Sequence, residues 1–246
     1  MYCSEHSLFI MSPLSDVLKA GISACKGVGV GIETYPLGEY IMQSLFLKLT
    51  GAQEQKMKCI CWDMATLDFE YRYVYLNQKN YGECSDWRSK NGVYNDIIVE
   101  IQKKDSSFEP STLIDGNFLT NILADVMDTF ENSVLCVWQK REFDIYKKNY
   151  SKGLSSTQIG KSKNGNNYQI MESVLKGWFE EIVYKHRNRC AHNTLSYQIN
   201  KPDLNILADN TYEYHNYFFR YAIIIVIDSI YMALFNKYLS LQAERV

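Results

Sequence analysis

Apolar residues that recur alternately three and four positions apart constrain the fold of this chain most strongly. The clearest run lies between Ala52 and Leu76, and its apolar positions are Met57, Ile60, Met64, Leu67, Tyr71 and Val74. This spacing puts the side chains on one stripe of an α-helix, whereas a strand would scatter them over both faces. The sequence therefore predicts a helix over 52–76 with this stripe in a core.

Two neighbouring segments show the same spacing. Residues 37–49 are apolar at helical intervals and end near Gly51, so we expect Gly51 to separate two antiparallel helices. Farther along, Asp115 is a good helix N-cap, and the apolar stripe that follows it continues to about Lys140. The sequence thus predicts a helical hairpin and a third long helix.

The C-terminal third of the chain predicts two more helices. One covers about 171–193, and the other, over about 209–241, is the most apolar and is expected to be central. Asp228 falls on the apolar stripe of this last helix. A carboxylate among Ile and Tyr side chains needs a partner, and we expect a tyrosine hydroxyl or an arginine.

Two segments favour extended structure instead. They are the glycine-rich run over 27–31 and the β-branched run over 93–103. The resulting fold class is all-α, a helical bundle with minor extended or hairpin additions. Residues 1–36 are an N-terminal extension of uncertain structure. The helical domain covers 37–246 and includes an exposed basic loop over 151–167.

Charge narrows the classes of function. The chain holds 26 Lys and Arg against 28 Asp and Glu, a net charge of −2. It therefore lacks the overall basic field that coats nucleic acid non-specifically. Only residues 140–163 are strongly basic, since seven cations against two acids give +5 there. Any contact with nucleic acid must be local.

The cysteines and the apolar segments indicate a cytoplasmic protein. Seven scattered cysteines form no zinc or disulfide framework and fit a reducing compartment. The first residues carry Glu5 where a signal peptide would be basic. The most apolar stretch, Ala222–Phe235, is short and contains Asp228, so no membrane partner is expected.

The segment that says most about function is Arg187-Asn188-Arg189-Cys190-Ala191-His192. Cleavage of RNA by its own 2′-hydroxyl needs a group that takes a proton, a group that gives one, and fixed positive charge on the phosphate. Histidine exchanges protons near neutral pH, and arginine offers a planar pair of donors to phosphate oxygens. These residue types in one segment suit RNA cleavage.

The pattern Arg-Asn-x-x-Ala-His over 187–192, within a largely helical chain, resembles the motif of the HEPN superfamily of ribonucleases and of toxin or phage-defence effectors. The resemblance implies a bundle that commonly dimerises and cuts RNA without a metal or other cofactor, leaving a 2′,3′-cyclic phosphate and a 5′-hydroxyl. It makes Arg187 and His192 the catalytic pair, with Asn188 orienting a side chain or binding phosphate. It also implies control by an antitoxin, a sensing partner protein or a phage-triggered assembly.

Three nearby residues are secondary candidates. Arg189 and Lys185 would add local attraction for the RNA backbone. Glu54 is a candidate polar partner of Arg187, although an acid in the first turn of a helix also favours the helix N-terminus without any such contact.

The spacing of the catalytic pair adds a constraint. Positions five apart on an unbroken helix are about 140° apart, so Arg187 and His192 of one chain cannot easily grip one phosphate. Either the helix ends near Arg189, with Asn193 as its terminator, or two chains pool their pairs. We expect the second solution, a two-fold homodimer.

Other interpretations of the same residues remain open. Arg and His in the last turn of a helix also favour its negative end, so the domain is alternatively a catalytically inactive module that binds RNA, a nucleotide or a protein. A second alternative is a metal-dependent nuclease that uses Asp86 and Glu100, although Gln102 stands where such sites carry lysine. The glycine-rich run over 27–31 lacks the lysine and hydroxyl of a phosphate-binding loop.

Overall fold

In this computed structural model the chain is all-α, as the periodicity predicts. The structure describes residues 5–131, 133–155, 158–160, 163–164, 167–192 and 212–243, and the statements below concern these residues. Their helices are α1 (Glu5–Ile10), α2 (Leu14–Ala24), α3 (Tyr35–Leu67), α4 (Phe69–Gln78), α5 (Trp87–Gln102), α6 (Gly116–Glu131), α7 (Val134–Trp138), α8 (Lys140–Gly153), α9 (Ser173–Trp178), α10 (Lys185–His192) and α11 (Tyr217–Ala243). A two-stranded antiparallel hairpin, β1 (Lys163–Asn164) and β2 (Asn167–Tyr168), is added to them.

Helix α11 forms the centre of the fold, as expected. It packs against α3, α5, α6 and α8, and its apolar residues are buried around its whole circumference. By length and composition α11 could also cross a bilayer, but 83% of its most apolar window is buried inside the protein. Burial of this kind is typical of a core helix.

Asp228 on α11 has the partner that its burial requires, but of a different type from the one expected. Its carboxylate accepts hydrogen bonds from Lys56 Nζ at 2.8 Å and from the backbone N–H of Leu14 at 2.9 Å. The expectation of a tyrosine or an arginine is therefore wrong. Leu14 begins α2 after Pro13, which offers no side-chain cap, so Asp228 satisfies one of the free N–H groups at that helix end.

Helix α3 continues through Gly51, so the predicted helical hairpin at this residue is wrong. A glycine inside a helix costs only about 1 kcal/mol, and the packing of a 33-residue helix outweighs it. The break lies instead at Asp68, whose carboxylate accepts from the N–H of Tyr71 at 2.9 Å and caps α4.

Residues 93–103 are helical, not extended, because they belong to α5 and the turn after it. Val93, Ile97, Ile98 and Ile101 are fully buried, at spacings that fit one helix face. These four residues are themselves β-branched, as is Val99 between them, and this composition hid the helical period. Tertiary packing overrides such local preferences.

The predicted third helix is divided, and parts of the predicted basic loop are regular secondary structure. Asp115 caps α6 by accepting from Phe118 N–H at 2.7 Å, which confirms the N-cap, but α6 ends at Glu131. Residues 151–153 continue α8, and the strands of the hairpin lie within 163–168. Leu154 and Ile159 are buried in the core, so these parts are not an exposed loop.

The N-terminal 36 residues take part in the same core. Ile10 of α1 and Leu14, Leu18 and Ile22 of α2 are buried against the other helices. Residues 27–31 form an irregular turn with no partner strand among the described residues, and the carbonyl of Gly29 accepts from Trp138 Nε1 at 3.2 Å.

Candidate active site

The motif lies at the end of a continuous helical segment with one irregularity. Helix α9 passes into a π-helical stretch, Phe179–Tyr184, and then into α10, which carries residues 185–192. The carbonyl of Ile182 in the π-helical stretch accepts from Arg220 Nε at 2.9 Å. Such π-helical turns are rare and frequently occur at functional sites.

Arg187 is held in place by Glu54 of α3. Its Nε lies 3.1 Å from Glu54 Oε1 and its Nη2 lies 2.9 Å from Glu54 Oε2, a two-point ion pair. Glu54 is 6% exposed, whereas the Arg187 side chain is 22% exposed. This contact is one of the two roles considered for Glu54, and the structure shows it. The other role, an acid in the first turn of a helix, is wrong, because Glu54 lies in the middle of α3.

The free donors of Arg187 point to its chemical use. A guanidinium has five N–H donors, and Glu54 takes two of them. Asn188 Oδ1 accepts a third, from Nη1, across a long 3.4 Å contact. These are the acceptors among the described residues, and they leave one N–H on each terminal nitrogen, which is the arrangement that can bind two oxygens of a phosphate.

Lys90 of α5 is close enough to Glu54 and Arg187 for their charges to affect its pKa, and the sequence analysis did not identify it. It is fully buried, donates to the carbonyl of Cys84 at 3.0 Å and lies over the ring of Phe179 at 5.7 Å. Burial lowers the pKa of Lys90 to about 8, and the charge of Glu54 opposes this shift. No sequence signal pointed to Lys90, because it lies just before the segment 93–103 that was predicted to be extended, and its burial depends on how α5 packs.

Helix α10 also carries His186, which has a structural role. Its Nε2 lies 3.2 Å from the Tyr217 hydroxyl and 3.4 Å from Cys190 Sγ, and its ring packs on Phe46. Burial, and then the charge of Arg220, lower the pKa of His186 to about 2. The imidazole is therefore neutral at neutral pH.

The backbone of His192 belongs to α10, but its side chain lies outside the described residues, as does Asn193. Helix α10 does not end near Arg189, so the first of the two geometric solutions is excluded. Positions 187 and 192 are about 140° apart on this helix. One chain alone thus presents the pair on different faces.

The two predicted RNA-binding cations lie in different surroundings. Lys185 is exposed and pairs with Glu181 at 2.6 Å, an i,i+4 contact that contributes little to stability and can be exchanged. Arg189 is half-buried and lines a cavity on another side of α10 from Arg187. The structure therefore brings Arg187, Asn188 and Glu54 together and sets Arg189 apart.

The alternative metal site does not assemble. Asp86 is the N-cap of α5 and accepts from Ser89 N–H at 2.7 Å, whereas Glu100 lies near the other end of that helix and pairs with Lys103 at 2.8 Å. Fourteen helical positions correspond to about 21 Å. These two carboxylates of one chain cannot share one metal ion.

No family model, curated protein or solved structure matches this chain.

Proposed function

We propose that the chain is a metal-independent endoribonuclease of the HEPN type. The observation that carries the proposal is the contact of Arg187 with buried Glu54, which orients a guanidinium within the Arg-Asn-x-x-Ala-His segment and leaves one N–H free on each terminal nitrogen. A helix end that only needed positive charge would not need a buried carboxylate to hold the arginine in one orientation.

The proposed reaction uses the 2′-hydroxyl of the substrate as nucleophile. One His192 imidazole takes the 2′-OH proton while the oxygen attacks the adjacent phosphorus, and a second imidazole, in its protonated form, gives a proton to the departing 5′-oxygen. Arg187 stabilises the extra negative charge on the phosphate. The products are a 2′,3′-cyclic phosphate and a 5′-hydroxyl.

Two imidazoles of this kind require two chains. Because α10 continues through residue 192, a two-fold dimer with both motifs at one cleft supplies two His192 and two Arg187 side chains. We propose a homodimer for this reason. Such an enzyme would harm its own cell, so we also propose control by a partner protein or a phage-triggered assembly, as in the family it resembles.

RNA cleavage in EDTA tests the proposal. We expect cleavage that survives chelation and yields 2′,3′-cyclic phosphate ends, identified by mass spectrometry of the products. Cleavage that disappears in EDTA would contradict the metal-independent mechanism. RNA binding without cleavage under every activating condition would favour the binding module.

Glu54→Ala is expected to lower kcat about a hundredfold with little change in KM. Without Glu54 the Arg187 guanidinium is no longer held in the orientation that contacts the phosphate in the transition state. Glu54→Gln, which keeps the shape and one acceptor, should recover part of the loss. The measurement is steady-state cleavage of a labelled RNA by chains whose helix content is verified by circular dichroism.

The matched control for Glu54 is Glu131→Ala, since Glu131 also pairs with a cation but at the end of α6. This variant should cleave like the wild type. An unchanged kcat in folded Glu54→Ala would show that Glu54 has no positioning role.

The rate of cleavage should depend on pH as a bell-shaped curve centred near neutrality, because one imidazole must be neutral and the other protonated. His186→Gln should retain both limbs of the curve, since the low pKa of His186 keeps this imidazole neutral throughout. A flat profile between about pH 5 and about pH 9, or loss of one limb in His186→Gln, would count against His192 as the titrating group.

A further inference from the structure

A cavity of about 290 Å³ lies beside Arg189. It is bounded by the first turns of α3, by α10, by the start of α11 and by the junction of α7 and α8. Its size is at the lower end of the range for small-molecule sites, which corresponds to one small ligand. Arg187 and its contact with Glu54 are not part of it.

One wall of the cavity carries a buried positive charge. Arg220 is 5% exposed, and among the described residues its Nε and Nη2 donate to the carbonyls of Ile182 and His215, at 2.9 and 3.2 Å. Burial lowers the pKa of Arg220 to about 10, so it is still charged at neutral pH. Among the described residues, no carboxylate pairs with the guanidinium of Arg220 or of Arg189.

A buried cation without a carboxylate at ion-pair distance is costly, and backbone carbonyls offset only part of the cost. Burial raises the pKa of Glu39, which lines the same cavity, and the charge of Arg220 opposes this shift, but the two groups form no ion pair. Helix α11 also begins at this wall, where Asn216 Oδ1 accepts from the N–H groups of Phe218 and Phe219 at 3.1 and 3.2 Å. The positive end of a 27-residue helix therefore adds to the two guanidinium groups. All three features favour a negatively charged ligand group at this wall.

The opposite wall has different chemistry. It holds the carboxylate of Glu39, which accepts a hydrogen bond from Gln139 Nε2 and whose pKa is raised by burial. Tyr35, 50% exposed, lies at the same side. A carboxylate accepts hydrogen bonds from the amino group of a nucleobase, and a tyrosine ring stacks on the base.

We propose that this cavity binds a single ribonucleotide, with its phosphate at Arg189 and Arg220 and its base toward Glu39 and Tyr35. The nucleotide is either free in solution or part of an RNA chain, and only its use as an RNA subsite rests on the proposed function. Helical geometry places position 192 about 60° from position 189, so the cavity flanks the motif. Through this cavity the enzyme would select the nucleotide beside the cleaved linkage.

Isothermal titration of the full chain with each of the four nucleoside 5′-monophosphates tests the proposal. The titration is done in EDTA, on the His192→Ala background so that RNA is not consumed. We expect one monophosphate to bind best and its nucleoside to bind at least about tenfold more weakly. Arg189→Ala should weaken the monophosphate by about tenfold or more, whereas Arg72→Ala, an exposed arginine over Phe69, should leave it unchanged.

Arg220→Gln should have an effect at least as large as Arg189→Ala. If it fails to fold, Arg189→Ala still decides, because Arg189 makes no hydrogen bond to a described residue. Absence of binding at millimolar monophosphate, or equal binding by wild type and Arg189→Ala, would overturn the proposal.

A 2′-O-methyl RNA, which cannot be cleaved, shows whether the bound nucleotide is part of an RNA chain or free in solution. Displacement of this RNA by the preferred monophosphate supports an RNA subsite. Monophosphate binding without displacement supports a site for a free nucleotide. Monophosphate binding together with a wild-type chain that cleaves no RNA under any activating condition would overturn the proposed ribonuclease and leave the cavity's assignment intact.

Discussion

Arg187→Ala and His192→Ala are each expected to lower the rate of RNA cleavage by about a hundredfold to a thousandfold. Arg187 supplies fixed charge where the phosphate gains negative charge, and loss of one such donor has this magnitude. Removal of a proton-transfer group has a similar effect. Arg187→Lys should recover little, because an ammonium cannot keep two contacts with Glu54 and also face two phosphate oxygens.

The measurement is the initial rate of cleavage in EDTA, with Arg141→Ala as the matched control. Arg141 is an exposed arginine of the basic segment on α8 and has no contact with the motif. If Arg141→Ala lost as much activity as Arg187→Ala, the loss would reflect general attraction for RNA rather than a site.

Mixed dimers extend this prediction to the two-chain mechanism. When wild-type chains are co-expressed with about a ninefold excess of His192→Ala chains, only about a tenth of the wild-type chains pair with each other. If both imidazoles are needed, the activity per wild-type chain should fall by about tenfold. Unchanged activity per wild-type chain would show that one chain forms a complete site.

The sequence predicts best the helices that are held mainly by apolar packing. The apolar stripe of α3 and the high apolar content of α11 indicate buried helices, because any apolar surface of the protein can cover them. The end of α3 did not follow, since Gly51 lies in open surroundings and Asp68 supplies the actual cap. A helix continues through an unfavourable residue such as glycine when the packing of the whole helix stabilises it by more than that residue destabilises it.

Some residues of the candidate site could be identified from the sequence and others could not. Arg187, Asn188 and His192 are recognisable because they form a short linear pattern, whereas Glu54 could be suggested only as an acid on another predicted helix, since its burial depends on how α3 packs. Lys90 and Arg220 could not be predicted. Each is separated from the motif in sequence, and only the packing of α5 and α11 against α10 and its π-helical stretch brings them near.

Loss of either partner of the Lys56–Asp228 ion pair is expected to destabilise the fold by about 3 to 5 kcal/mol, and thereby to lower Tm by roughly 10 °C. Both side chains are 3% exposed. Lys56→Met leaves Asp228 with only the N–H of Leu14, and Asp228→Asn leaves Lys56 charged with the carbonyl of Ser12. The measurement is urea and thermal unfolding followed by circular dichroism.

The double variant Lys56→Met/Asp228→Asn shows whether the loss of stability in the single variants comes from losing the ion pair or from leaving one buried charge without its partner. No buried charge remains in it, and the amide oxygen of the introduced asparagine can still accept from Leu14, so its loss of stability should be at least about 2 kcal/mol smaller than the sum of the single losses. The exposed pair Lys19–Asp125, at 3.1 Å, is the control, and Asp125→Asn should change stability by less than about 1 kcal/mol. Strictly additive losses at Lys56 and Asp228 would mean that the two groups do not interact.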